Sequence, residues 1–123
     1  MTRPAIIASS FVLAVPDADK TARWWIEALK FDDRTDLDGW VFVHRGPCTV
    51  MLGSCPGAPP IPDLGDHQYF GYIEFDDLDA LAEEIDLEQV DVIFGPEDRP
   101  WGMREMGVRT PDGHRVMFGQ PID

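Results

Sequence analysis

The sequence predicts an α+β fold of two tandem βαβββ modules whose twisted sheets leave a half-open cleft. Three observations carry this expectation. The pentad TVMLG at 49–53 returns as RVMFG at 115–119. The stretch FVLAVPDADKTARWW at 11–25 is matched in pattern by GYIEFDDLDALAEEI at 71–85, an offset of 60 residues. Between the copies lies PGAPPIPDLGD at 56–66, a Pro-rich run without strand or helix periodicity. A chain of 123 residues with 44% hydrophobic content builds one compact core, too little for two independent ones. The expected organisation is therefore a single domain over 1–123, with module one at about 5–55, a linker at 56–66 and module two at about 67–121.

Each module opens with an alternating strand followed by an aspartate suited to helix N-capping, Asp17 in one copy and Asp77 in the other. Helical spacing follows, with Ala18, Ala22, Trp25 and Leu29 on one face of the first helix. Leu78, Leu81, Ala82 and Ile85 line the second. A hairpin comes next in each half. WVFVHRGPCTVMLG turns at Gly46–Pro47, and REMGVRTPDGHRVMFG turns at Pro111–Asp112–Gly113. A sheet with one helix on its outer face is the natural packing of such a unit, and two of them leave the opposite faces uncovered.

The strand period of two decides which side chains lie on which face. Phe11, Leu13, Val15, Val50, Leu52, Ile73, Phe75, Val116 and Phe118 suit the helix side. The other phase faces the cleft: Ser10, Val12 and Ala14; Trp40, Phe42 and His44; Thr49 and Met51 in the first module. In the second it holds Phe70, Tyr72 and Glu74; Glu105 and Gly107; Arg115 and Met117. A two-residue turn at Gly46–Pro47 supports that phase, because it sets His44 opposite Thr49 and Phe42 opposite Met51. Flexible, polarizable methionines beside aromatic rings make an adaptable apolar lining for a planar or irregular ligand. Filling of the core is the competing reading for any one of them.

Composition narrows the function. There are 23 acidic against 10 basic residues, a net charge of −13, which repels phosphate backbones and anionic membrane surfaces. Nucleic acid and membranes are excluded as partners on that ground, while a cationic ligand is drawn in. No apolar run approaches the ~20 residues of a membrane helix, and MTRPAIIASS lacks the apolar core of a signal peptide, so a cytoplasmic protein is expected. Cys48 and Cys55 lack CxxC spacing and a neighbouring His, which suggests reduced, half-buried thiols. No Gly-rich phosphate loop, nucleophile elbow or paired-cysteine motif is present. His67 and His114 stand beside the linker and a turn and are expected at the surface; His44 alone points inward. With Glu74 and Glu105 it is a candidate metal or acid–base set.

The doubled βαβββ unit, the strand-to-helix turn VPDADKTARWW and the ending RPWGMREMGVRTPDGHRVMFGQ resemble the vicinal oxygen chelate superfamily, which includes glyoxalase I, extradiol dioxygenases and bleomycin resistance proteins. In its metal-dependent members an inner-facing His or Glu sits on each of four strands, and the resemblance carries those places onto Ser10, Met51, Phe70 and Met117. None is a competent ligand for a divalent cation, because such cations need carboxylate or imidazole donors. The resemblance is nearest to the metal-free bleomycin-resistance type, a homodimer that sequesters a drug in clefts between subunits. It implies no metal and no other cofactor, Trp101 and Gly102 at the cleft mouth, and Pro4 as the hinge of an N-terminal segment exchanged between subunits. The expected ligand site is then Trp40, Phe42, His44, Met51, Phe70, Tyr72, Glu74, Trp101, Gly102, Glu105 and Met117.

Two functions follow as expectations. One is a non-catalytic protein that sequesters a flat ligand, with antibiotic resistance as its role and a cationic ligand as the charge-matched case. The other is a lyase, isomerase or dioxygenase using a displaced metal around His44, Glu74 and Glu105. Were anionic ligands preferred instead, Arg104, Arg109 and Arg115 would replace the two glutamates as the binding groups.

Overall fold

The computed structural model describes residues 3–4, 8–57 and 69–122. His67, most of the Pro-rich linker and the segment just after Pro4 lie outside the described residues. The element order is β1 (Phe11–Val15), α1 (Ala18–Glu27), β2 (Asp33–Leu37), β3 (Trp40–Arg45), β4 (Cys48–Ser54), then β5 (Tyr69–Glu74), α2 (Leu78–Glu84), β6 (Asp91–Arg99), β7 (Met103–Arg109) and β8 (Arg115–Pro121). The first four strands form one sheet in the order β1-β4-β3-β2, and the last four repeat that order as β5-β8-β7-β6. β1 runs parallel to β4 and β5 parallel to β8, and every other pairing is antiparallel. The fold is thus the doubled βαβββ unit that the repeat predicts.

Local chemistry explains the elements. The Asp17 carboxylate accepts the Lys20 amide hydrogen and Asp77 accepts that of Ala80, so both predicted N-caps form. Gly46, at φ 54°, makes the tight turn that pairs Arg45 with Cys48, His44 with Thr49 and Phe42 with Met51. β2 and β6 carry no strand signal in the sequence. β2 is DRTDL, almost wholly exposed, and β6 carries Gly95–Pro96 in its middle, so neither shows the apolar alternation of a half-buried strand.

One core serves both modules. The helix faces named above are buried, Ala82 only partly, together with Leu13, Val15, Val50, Leu52, Val116 and Phe118 from the strands. α1 reaches into the second module. Trp24 Nε1 donates to the Gln89 carbonyl at 2.7 Å, Thr21 bonds Asp112, and the Trp25 ring packs on Phe31 at 4.9 Å and on Phe70 at 6.1 Å. Among the described residues no helix is long and apolar enough to cross a membrane.

Two side chains depart from expectation. His114 is buried rather than solvated, because the turn at 110–114 folds under α1 and the ring meets Phe70 edge-on at 6.0 Å. Cys48 is half-buried as expected, but Cys55 is exposed just beyond the end of β4. Burial holds the His114 imidazole below its ordinary 6.5, with nearby Asp112 opposing, and its Nδ1 has no partner. The neutral ring therefore contributes stability that is complete above pH 6.5 and lost as pH falls from there towards the lowered folded value. The melting temperature of the wild type should drop more steeply from neutral to mildly acid pH than that of His114→Phe, and parallel profiles would assign the acid sensitivity elsewhere.

Candidate functional site

The opposite face of each sheet carries aromatic rings laid across glycines. In the first sheet Trp40 pairs with Gly53, and a Cβ on Gly53 would come within 3.0 Å of the indole. In the second, a Cβ on Gly119 would meet the Tyr72 hydroxyl at 1.9 Å, and one on Gly107 would meet the Phe94 ring at 2.5 Å. The glycines closing TVMLG and RVMFG thus have one purpose in both copies: each leaves the strand bare so that a neighbouring ring lies flat on it. Met51, beside Phe42, and Met117, beside Tyr72, keep the cleft-side phase and are half-buried.

Because Gly119 is bare, the Tyr72 hydroxyl crosses β8 and donates to Glu105 Oε2 on β7 at 2.8 Å. Trp101 Nε1 donates to the same oxygen at 3.4 Å, and Arg99 Nε lies 3.6 Å from Oε1. Glu105 is only 5% exposed. Burial pushes the Tyr72 phenol up to about 12, reinforced by its bond to Glu105, so it stays a donor at any physiological pH. The Arg99 guanidinium stacks over Phe94 at 4.8 Å and over Trp101 at 5.9 Å. Trp101 occupies the β6–β7 turn, closed by Gly102 at φ 83°.

The result is a held aromatic wall, a buried carboxylate with donors and a guanidinium around it. Glu105 therefore adds little bare negative potential to this face, because Arg99 opposes its charge. Glu74 stays exposed on the same face. Phe94 and Arg99 were missed because β6 lacked strand periodicity; the tight PWG turn, which sets Arg99 opposite Met103, was the available signal.

Phe70 does not join the cleft. A bulge between Tyr69 and Gly71 inserts one residue, so Tyr69 pairs with Arg115 in its place and the Phe70 ring turns onto Phe11 at 5.9 Å and the core. His44 is half-buried between Thr35 and Thr49, at 3.0 Å from each hydroxyl, on the first sheet. Glu74 and Glu105 belong to the second. Among the described residues no three His, Cys, Asp or Glu gather as a group able to hold a metal ion, so the displaced set of His44, Glu74 and Glu105 is not assembled within the chain. The metal places of the resemblance fare no better, since Met51 and Met117 keep their positions while Phe70 leaves for the core. Of the arginines, Arg104 is bound to Asp98 and Asp79 and Arg109 to Asp91, whereas Arg115 lies over Tyr69 at 5.7 Å.

Instead of one cleft, the chain presents two aromatic clusters, Trp40 with Phe42 and Tyr72 with Trp101, Arg99 and Phe94. Among the described residues no ring pair or hydrogen bond joins them. The shared core lies on the helix side of both sheets, which turns these faces outward: Trp40 is 40%, Tyr72 42% and Trp101 63% exposed.

A small α+β protein of two βαβββ modules with glycine-backed aromatic faces is the class that this geometry defines. The family model of the Glyoxalase/Bleomycin resistance protein/Dioxygenase superfamily matches residues 7–118, and the chain belongs to that superfamily. Among curated proteins none matches. Solved structures share the fold. The antibiotic-binding protein TnmS3 from Streptomyces sp. CB03234 is 24% identical with a TM-score of 0.68, over 96% of this chain and 99% of that one. The bleomycin-binding protein from bleomycin-producing Streptomyces verticillus, solved with copper(II)-bleomycin, is 24% identical with a TM-score of 0.71, over 94% and 97%. The bleomycin resistance determinant encoded on the transposon Tn5 is 20% identical with a TM-score of 0.74, over 94% and 98%.

Proposed function

We propose that the chain is a non-catalytic small-molecule-binding protein that sequesters a flat ligand on its aromatic faces, with antibiotic binding as the role. The observation that carries this reading is the wall of Tyr72, Trp101 and Arg99 around Glu105: exposed rings held by hydrogen bonds and ion pairing before any ligand arrives. Preorganised aromatic surface binds flat molecules without the entropy cost of ordering it. The antibiotic-binding neighbours support the same use. Among the described residues no cluster of side chains favours the metal-dependent enzyme.

The reading includes a two-fold homodimer. Two outward apolar faces are poorly covered in one chain, and a second copy set against them would enclose the ligand between subunits. With Arg99 opposing Glu105, preference for a cationic ligand rests on exposed Glu74 and on the net charge of −13, and it should weaken with salt.

A thermal-shift screen of flat cationic, neutral and anionic compounds tests this, since a ligand that binds only the folded state raises its melting temperature. Cationic compounds should give the largest shifts. Trp40→Ala and Trp101→Ala should each weaken binding by about fivefold or more, the loss of a stacking partner, while Trp24→Ala lowers the starting temperature and leaves the ligand shift intact. Undiminished shifts in both face variants would place the ligand elsewhere, and hits confined to anions would overturn the charge preference. Sedimentation as a monomer at micromolar concentration would count against the dimer.

A further inference from the structure

The sheet faces do not account for a cavity of about 460 Å³ at the seam of the two modules, between the start of β1, the β3–β4 turn and the end of β5. Phe11, Phe31, Ile73 and Phe75 give it apolar walls, Cys48 contributes a thiol, and Glu74 and Asp76 contribute carboxylates. That volume lies within the range of small-molecule sites.

At the matching place in the second module a ring stands against the counterpart of Cys48. Cys48 and His114 stand three residues before the matched Met51 and Met117, so they are counterparts. Beside His114 the bulged Phe70 packs its ring at 6.0 Å. The residue matching Phe70 in the first module is Ser10, exposed and far smaller, and it supplies no ring to lie against Cys48.

The charge of the cavity is unbalanced as well. Arg45 also lines it, but its guanidinium is committed to Glu84 by two bonds of 2.9 and 3.0 Å and lies over Phe75 at 5.4 Å. Glu74 and Asp76 form no ion pair among the described residues. Apolar walls with two unpaired carboxylates match a molecule with a hydrophobic body and one positive end.

We infer that this seam cavity is a second ligand site, adjoining the second aromatic face at Tyr72 and Glu74, and that it takes a small hydrophobic amine. The body sits among Phe11, Phe31 and Phe75 and the ammonium meets Glu74 and Asp76. Because Tyr72 and Glu74 border both places, the two sites are told apart by residues that belong to one alone: Asp76 and Cys48 for the cavity, Trp101 for the face.

Cys48 provides the readout. In a Cys55→Ser background at mildly alkaline pH, 2-phenylethylamine should slow alkylation of Cys48 by N-ethylmaleimide saturably, 2-phenylethanol should do so weakly and 3-phenylpropionate not at all. The Glu74→Gln, Asp76→Asn pair should raise the half-saturating amine concentration by about fivefold, the loss expected for partly exposed charge contacts, and Trp101→Ala should leave it unchanged. Should Cys48 be too slow to alkylate, the amide shifts of Gly46 and Cys48 on amine titration give the same answer. Equal protection by all three compounds, no saturable effect in either measurement, or an effect abolished by Trp101→Ala and untouched by the carboxamide pair would overturn the inference. The proposed function would stand in each of these cases, since it depends on the response of the face variants to flat ligands.

Discussion

Trp25→Ala is expected to destabilise the protein by about 3–5 kcal/mol, the usual range for deleting a fully buried aromatic side chain. Trp25 is 0% exposed and holds the two modules together: it packs on Phe31 at 4.9 Å, on Trp24 at 5.8 Å and on Phe70 at 6.1 Å. Its removal leaves a cavity at the seam, where α1 of one module meets β5 of the other and neither can collapse without breaking its own sheet. For a chain of this size that is a fall of roughly 10–20 °C in melting temperature, and a large part of the ~5–15 kcal/mol that holds a domain folded. Calorimetry on wild type and variant checks it. A fall of only a few degrees would mean that the modules are stable apart.

Gly95→Ala is the second large effect, at about 2–4 kcal/mol from two additive causes, left-handed strain and overpacking. Gly95 has φ +85°, and a Cβ there would lie 2.3 Å from the Glu105 carbonyl oxygen and 3.0 Å from Met106 Cα. Backbone on both sides leaves no flexible group to give way, so β6 must separate from β7 at its irregular register. Gly46→Ala isolates the strain alone, because Gly46 has φ +54° with nothing within 4 Å, and it should cost only about 1 kcal/mol. The excess at Gly95 should be accompanied by a change in Trp101 fluorescence, since Phe94 and Arg99 lie on the displaced strand and Arg99 stacks on that indole. Equal losses at the two glycines would show that β6 absorbs the methyl group without moving.

Much of this architecture was legible in the residues because it follows from local periodicity. The repeated pentads, the capping aspartates, the Gly46–Pro47 turn and the alternation of strands each depend on neighbours a few positions away, and they sufficed for two βαβββ modules, the helix-side core and the register of Phe42 on Met51. Phase by itself correctly set Trp40, Tyr72, Met51 and Met117 on the faces away from the helices.

Only the tertiary structure decided the rest, because it depends on contacts between residues far apart in the chain. A one-residue bulge carried Phe70 from the cleft to the core, which no alternation pattern announces. Packing of α1 over the turn at 110–114 buried His114. The closure of β6 on β7 brought Arg99 to Glu105 and changed a free charge into a paired one. Above all, a single core on the helix side turned the two aromatic faces outward, so what strand phase presented as one cleft is, within the chain, two surfaces. Periodicity fixes the side of a strand that a residue occupies; what stands opposite it is set by how the sheets pack.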